Sequence, residues 1–459
     1  MQIRNDLSAA SLQSKIDQLW ALSAEKIRLI DKEYDNSKGT PVFTVNGKYT
    51  LRGWTEWTQG FQYGAEVLQF DATGDESFLA SAKKNTVSNM ASHVSHFGVH
   101  DHGFNNVSTY GNLVRLMNEG RIEENAWERN FYEVALKVSG SVQARRWTNI
   151  KGGQGFIHSF NGPHSLFVDT IRSVRALMVS HLLGHSYMGE NDLKTSLLER
   201  GTLHSLATAK YSVFYGEGRD SYDLWGRTAH ESVFNTNDGN FRCPNSQQGF
   251  SGFTTWTRGL AWAMLGFAEQ LESLPSFTDE ELAPLGGRAE IERIYLKAAK
   301  ATCDFYIDNT AADGIPHWDT GAPLLHKLGE YTARTSDPYN DFEPIDSSAA
   351  AIGAQGLLRL GKYLNDKNED GSRYWQAGLT ALDSLFAEPY LSTDPTHQGL
   401  ILHSIYHQPN GWDNIPAGQK IACGESSMWG DYHARELALY VQRINKNQPY
   451  YTYLGAVKK

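Results

Sequence analysis

What constrains this chain most is one period that keeps returning. LQSKIDQLWALSAEKIRLI places apolar residues three and four apart. TEWTQGFQYGAEVLQFDATGD, FVDTIRSVRALMVSHLLGHSYMG, GLAWAMLGFAEQLESL, IYLKAAKATCDFYIDN, DSSAAAIGAQGLLRLGKYL and DYHARELALYVQRI continue it. Turns rich in Gly, Asn and Asp separate these runs. The pattern predicts roughly twelve helical segments, paired every 35 to 40 residues or so. Strand signals are short, the clearest being VFTVNGKYT, where Asn46-Gly47 reads as a hairpin turn. No repeat is exact, so a strict solenoid is not indicated. Six helical hairpins can close into a ring. The expected fold is therefore all-α, an (α/α)6 toroid with short β-hairpins in its loops. Helix count alone also permits an open array, so closure is inferred.

The length of 459 residues would suit two or three domains, but no linker interrupts the chain. Proline is sparse and composition never shifts abruptly, so a single domain spanning 1–459 is expected. The net charge of -10, without a basic block, argues against a nucleic-acid partner. No run approaches a membrane span. Cys243, Cys303 and Cys423 form no CxxC and cannot all pair, which favours a reducing compartment. With no apolar leader visible, a cytoplasmic location is expected, or a periplasmic one if a leader has been trimmed. Oligomeric state stays open.

Unusual residues fall at helix-to-turn junctions. They include Trp57, His100, Asp101, Asp169, His230, Gln248, Trp256, Arg258, Trp318, Asp319, Trp429 and Asp431. A toroid gathers such positions, because alternate loops share one face. Asp101, in VHDHGF, and Asp169 lie 68 residues apart, close to two hairpins. Two neighbouring carboxylates split their pKa values, so one can hold a proton while the other stays charged. Sugar chemistry needs that division of labour. The bland alternatives are a turn residue for Asp101 and a helix N-terminal acid for Asp169. In QGFSGFTTWTRGLAW, Trp256 and Trp262 can wall a sugar ring. Arg258 can bind a carboxylate or sit in a structural ion pair. His93, His96 and His100 share a helical face, as do His181 and His185, but HExxH is absent and no metal is expected. There is no GxSxG, GxGxxG or GxxxxGK[ST], so nucleophilic-serine and nucleotide chemistry are not indicated, and no organic cofactor is expected.

WTQGF at Trp57, HDHGF at Asp101, VDTIRSVRAL at Asp169, QGFSGFTTWTRGLAWAMLGF, DGIPHWD, DSSAAAIGAQGLLRL and WGDYHARELAL follow one another along most of the chain. In this order they resemble the unsaturated glucuronyl hydrolases and their rhamnogalacturonyl relatives, glycoside hydrolase families 88 and 105. The resemblance implies an (α/α)6 barrel acting on oligosaccharides that end in a 4,5-unsaturated uronic acid. It implies Asp169 as catalytic acid and Asp101 as its partner. It further implies Trp57, His100, His230, Gln248, Trp256, Arg258 and Trp262 as substrate-binding residues, with neither metal nor cofactor. IRSVRAL after the DT pair departs from the family and puts Arg172 and Arg175 near Asp169. Such departures also suit a sister group that cuts saturated β-glucuronides. A toroid-fold polysaccharide lyase, with a histidine base, is the third reading.

Overall fold

The computed structural model describes residues 1–52 and 57–457. Twelve longer helical segments are present among the described residues. Six of them make an inner ring: Gln59–Thr73, Gly103–Gly111 continued by Asn112–Asn118, Thr170–Ser173 continued by Arg175–Leu182, Thr257–Ser273, Ser347–Asp366 and Met428–Asn445. Each touches the next, and Met428–Asn445 returns to Gln59–Thr73. The ring is closed, which decides between the toroid and the open array. Gln13–Glu33, Glu76–Asn89, Ala126–Arg145, Leu197–Tyr211, Arg288–Asn309 and Ser372–Leu385 pack around it. The fold is thus an α/α toroid. Thr55 and Glu56 of the predicted TEWTQGF helix lie outside the described residues.

Sequence explains the two layers. The inner helices are buried nearly all round, and their apolar runs are broken mainly by small residues. Small residues let backbones approach. A Cβ on Gly266 would meet Ile171 at 2.6 Å, and one on Gly356 would meet the backbone of Leu265 at 2.8 Å. The outer helices are amphipathic and bury one face. The Asn-Gly hairpin forms as expected, pairing Phe43–Val45 with Lys48–Thr50, with Asn46 and Gly47 both at positive φ.

The core also holds charge. Arg172 donates to Glu269 (3.1 Å) and Glu436 (2.7 Å) with all three side chains fully buried. Arg175 lies 3.7 Å from Glu269. Both arginines, expected near the substrate, are therefore structural. A buried cation persists only when carboxylates face it.

Candidate active site

A cavity opens on the face of the ring where the junction residues gather. Its walls include Trp57, Phe104, Trp256, Trp262, Gln248 and Arg258, with His100, Asp101 and Asp169 together in the lining. Of the nine expected site residues only His230 is not in the lining. It packs behind the wall, its ring centroid 4.4 Å from Phe167 and 4.5 Å from Trp256.

The chain builds the carboxylate pair from two junctions. VHDHGF does not merely end a helix. Asp101 precedes a π-helical segment, Gly103–Gly111, and its carbonyl accepts from the amides of Phe104 and Asn105. Gly103 is there for space, since a Cβ would sit 2.1 Å from the Ser173 carbonyl oxygen. His102 is buried between Ser139 Oγ (2.9 Å) and the His96 carbonyl (3.0 Å), tying the inner ring to an outer helix. Burial pushes its imidazole down to about 3, so it is neutral and structural.

Asp169 follows a strand, Ser165–Phe167, that pairs with Glu231–Phe234. The amide of Val168 donates to the carbonyl of His230 at 2.9 Å, which brings these two distant residues side by side. Asp169 stands at the N-cap of Thr170–Ser173 yet makes no side-chain capping bond. Its carboxylate turns instead to His100 Nε2, at 3.2 Å, and the same nitrogen is 3.7 Å from Asp101. One imidazole therefore links both acids.

The two acids have opposite electrostatics. Burial pushes Asp101 up to about 6, against the pull of His100. Burial also acts on Asp169, but the hydrogen bond to His100 and the charges of His100, His230 and Arg258 outweigh it and hold Asp169 below its ordinary value. His100 is raised: burial opposes its charge, and Asp101 and Asp169 together overcome that. At rest the higher proton affinity of the two acids lies on Asp101.

Arg258 lines the cavity but already has a carboxylate partner, Asp346, at 3.0 Å. It also donates to Gln248 Oε1 (2.7 Å) and to the carbonyls of Tyr406 (2.8 Å) and Ile405. Trp256 and Trp429 sandwich its guanidinium at 4.6 and 4.8 Å. Arg258 thus braces the wall rather than presenting a vacant fork. Trp57 stacks on Trp429 at 5.0 Å, and Trp262 packs on Phe104 at 4.8 Å. The imidazole of His230 accepts the amides of Gln247 and Gln248 at Nδ1, which leaves Nε2 as its donor.

Other junction residues are structural. Trp318 donates to Glu343, Asp319 accepts the Phe250 amide, and Asp431 accepts the amides of Leu400 and Ile401. The histidine faces serve hydrogen bonds: His93 to Gln59, His181 to Glu281, His185 to Ser141. Sequence reasoning missed Phe160, Phe167, Tyr406, His407 and Trp412 in the lining. Phe167 could have been found, since it stands two residues before Asp169. The last three sit in an aperiodic loop with no signal.

Closed helical ring, aromatic walls and paired acids define a toroid-fold carbohydrate enzyme. No family model matches the chain. An unsaturated glucuronyl hydrolase of Bacillus sp. strain GL1 is 25% identical over 408 residues, covering 87% of this chain and 89% of its own. An unsaturated chondroitin disaccharide hydrolase of Streptococcus pyogenes serotype M1 is 24% identical over 437 residues, covering 93% and 91%. The crystal structure of the Bacillus enzyme matches with a TM-score of 0.69 at 21% identity, over 94% of this chain and 97% of that one. Over most of its length the chain is similar to the unsaturated glucuronyl hydrolases, in sequence and in fold.

Proposed function

We propose that this protein is a glycoside hydrolase that removes a 4,5-unsaturated glucuronyl residue from the non-reducing end of oligosaccharides, by hydrating the C4=C5 double bond. The observation that carries the reading is His100 held between Asp101 and Asp169 on an aromatic-walled cavity. The relatives are named for this reaction, one of them for chondroitin disaccharides.

Asp169 gives a proton to C4, drawn from a store it shares with Asp101 through His100. The arriving uronate adds negative charge to the cavity and raises the proton affinity of both acids. Positive charge then develops at C5 and the ring oxygen, where the ionised carboxylates stabilise it. Water adds at C5 and returns its proton to Asp169. The C5 hemiketal opens, and the aglycone leaves from C1. Each acid–base step of this kind contributes about 10²–10⁴-fold.

A second reading, direct hydrolysis of a saturated β-glucuronide, fits less well. An inverting glycosidase keeps its carboxyl groups roughly 6.5–9.5 Å apart, with water and sugar between them. Here one imidazole nitrogen reaches both acids and fills that gap. We also take the chain as one catalytic unit, and its unpaired cysteines support a reducing, cytoplasmic setting.

The test is a panel of unsaturated disaccharides from polysaccharide lyases alongside matched saturated glucuronides, followed by ultraviolet absorbance and mass. The proposal expects loss of the alkene absorbance in the wild type and no turnover by a folded Asp169→Asn variant. Turnover of saturated glucuronides alone favours the second reading. A rise in absorbance on intact polysaccharide marks a lyase.

A further inference from the structure

The outer helix Ala126–Arg145 carries an apolar face that nothing among the described residues covers. Its inward side is buried through Tyr132, Leu136, Ser139 and Gln143. Its outward side shows Trp127 at 79% exposure, Phe131 at 38%, Val134 at 57% and Val138 at 39%. The steps between these four residues are four, three and four, the spacing of a two-helix seam. Glu76–Asn89 is joined to it by the Lys83–Glu128 ion pair at 2.7 Å and carries the exposed Val87. The hairpin of Tyr187–Met188 and Lys194–Thr195 packs on the same helix and adds exposed Met188 and Leu193. Together the exposed parts of these residues sum to roughly 700 Å². That is close to the ~800 Å² each partner contributes to a standard interface.

We propose that this face is the two-fold interface of a homodimer, with Ala126–Arg145 packed antiparallel against the same helix of a second copy. The charges of the helix identify the occupant. Its approach carries Glu123 and Glu124 and its last turn carries Arg145, while Glu128 is held by Lys83, and Glu133 by Arg129 and Lys137, within the chain. Arg129, the cation of the N-terminal half, is turned inward and paired with Glu124 and Glu133. An antiparallel two-fold through Val134 sets Glu123 of each copy beside Arg145 of the other, with opposed helix dipoles. Phe131 then meets Val138 of the second copy. Trp127 reaches Ser141 and Arg145 of the second copy, where Arg145 already stacks over Phe97 at 5.1 Å and can offer its other face to the indole. A lipid surface is disfavoured, because four glutamates edge the patch and the chain's net charge is -10.

The experiment is sedimentation velocity of the full chain across a concentration series, with Val134→Lys as the probe. Val134 is exposed and far from the cavity lining, so the variant keeps the wild-type melting temperature and turnover. The wild type is expected to be dimeric at about 10 µM, and V134K to raise its dissociation constant by about 30-fold or more, because it sets two unpaired charges on the two-fold axis. Arg145→Glu is expected to weaken the dimer and to flatten its salt dependence. A wild type that stays monomeric at the highest soluble concentration overturns the proposal. So does a dimer that V134K leaves intact, and so does a monomer that cosediments with zwitterionic or anionic vesicles.

Discussion

Asp101→Asn makes the fold more stable at alkaline pH while removing activity. Burial raises the carboxyl of Asp101 from 3.8 to about 6 in the folded protein. The folded state therefore binds this proton more tightly than the unfolded chain does. Stability is undiminished below about pH 4 and falls as pH rises toward 6, above which the full cost of burying the anion is present. That rise is worth about 3 kcal/mol. Asparagine keeps the shape and has no anion to bury. With an unfolding entropy of roughly 2.1 cal/mol/K per residue, 3 kcal/mol in a chain of 459 residues moves the melting temperature by about 3 °C. Calorimetric scans of both proteins at pH 4 and pH 8 are the assay. The expected result is a gain near zero at pH 4 that grows to about 3 °C at pH 8, while turnover drops by about 10²–10⁴-fold. Asp101 and His100 titrate together, so the midpoint of the change belongs to the pair. A gain that does not grow with pH, or a loss that does, would falsify the assignment of a buried, proton-holding carboxyl at this position.

Gly103→Ala places a methyl group 2.1 Å from the Ser173 carbonyl oxygen and parts two inner helices. A destabilisation of about 1–3 kcal/mol in urea titration is expected, with turnover lost as Asp101 and Asp169 separate. Asp346→Ala leaves Arg258 buried without its carboxylate. It is expected to cost about 3–5 kcal/mol by the same titration, with a smaller loss for Asp346→Asn. Trp412→Ala opens the far wall of the cavity. Steady-state kinetics are expected to show KM rising roughly tenfold with kcat nearly unchanged, since the ring packs on Tyr406, His407 and Arg52 and contacts neither acid.

The ring was legible because helical periodicity is local and survives without any partner in view. Asp101, Asp169, Trp57 and the WTRGLAW residues were legible because helix-to-turn junctions stand out from that period. The cavity's far wall was not. Tyr406 and His407 are held by the buried carboxylate of Asp413, which accepts their amides, and the Trp412 amide donates to the His407 carbonyl, so no periodic neighbour signals them. Arg172 and Arg175 misled for a different reason. Sequence adjacency set them near Asp169, but a helix turns successive residues through about 100°, so they face Glu269 and Glu436 inside the ring instead.

The roles of the two acids depend on residues far away in sequence. Asp169 and Asp101 have the same chemistry and lie on one imidazole. They differ because His230, brought in by a strand pair, and Arg258, from the next inner helix, act on Asp169. Asp101 is buried with a weaker positive surrounding. Of the two acids, the one that the resemblance casts as the helper therefore holds its proton more tightly, and His100 joins it to the acid cast as the donor. This division suits hydration of an alkene. The donor must be ionised after protonating C4 in order to take the proton of the incoming water. An acid held below its ordinary pKa returns to that ionised state readily, while its neighbour keeps the next proton within reach.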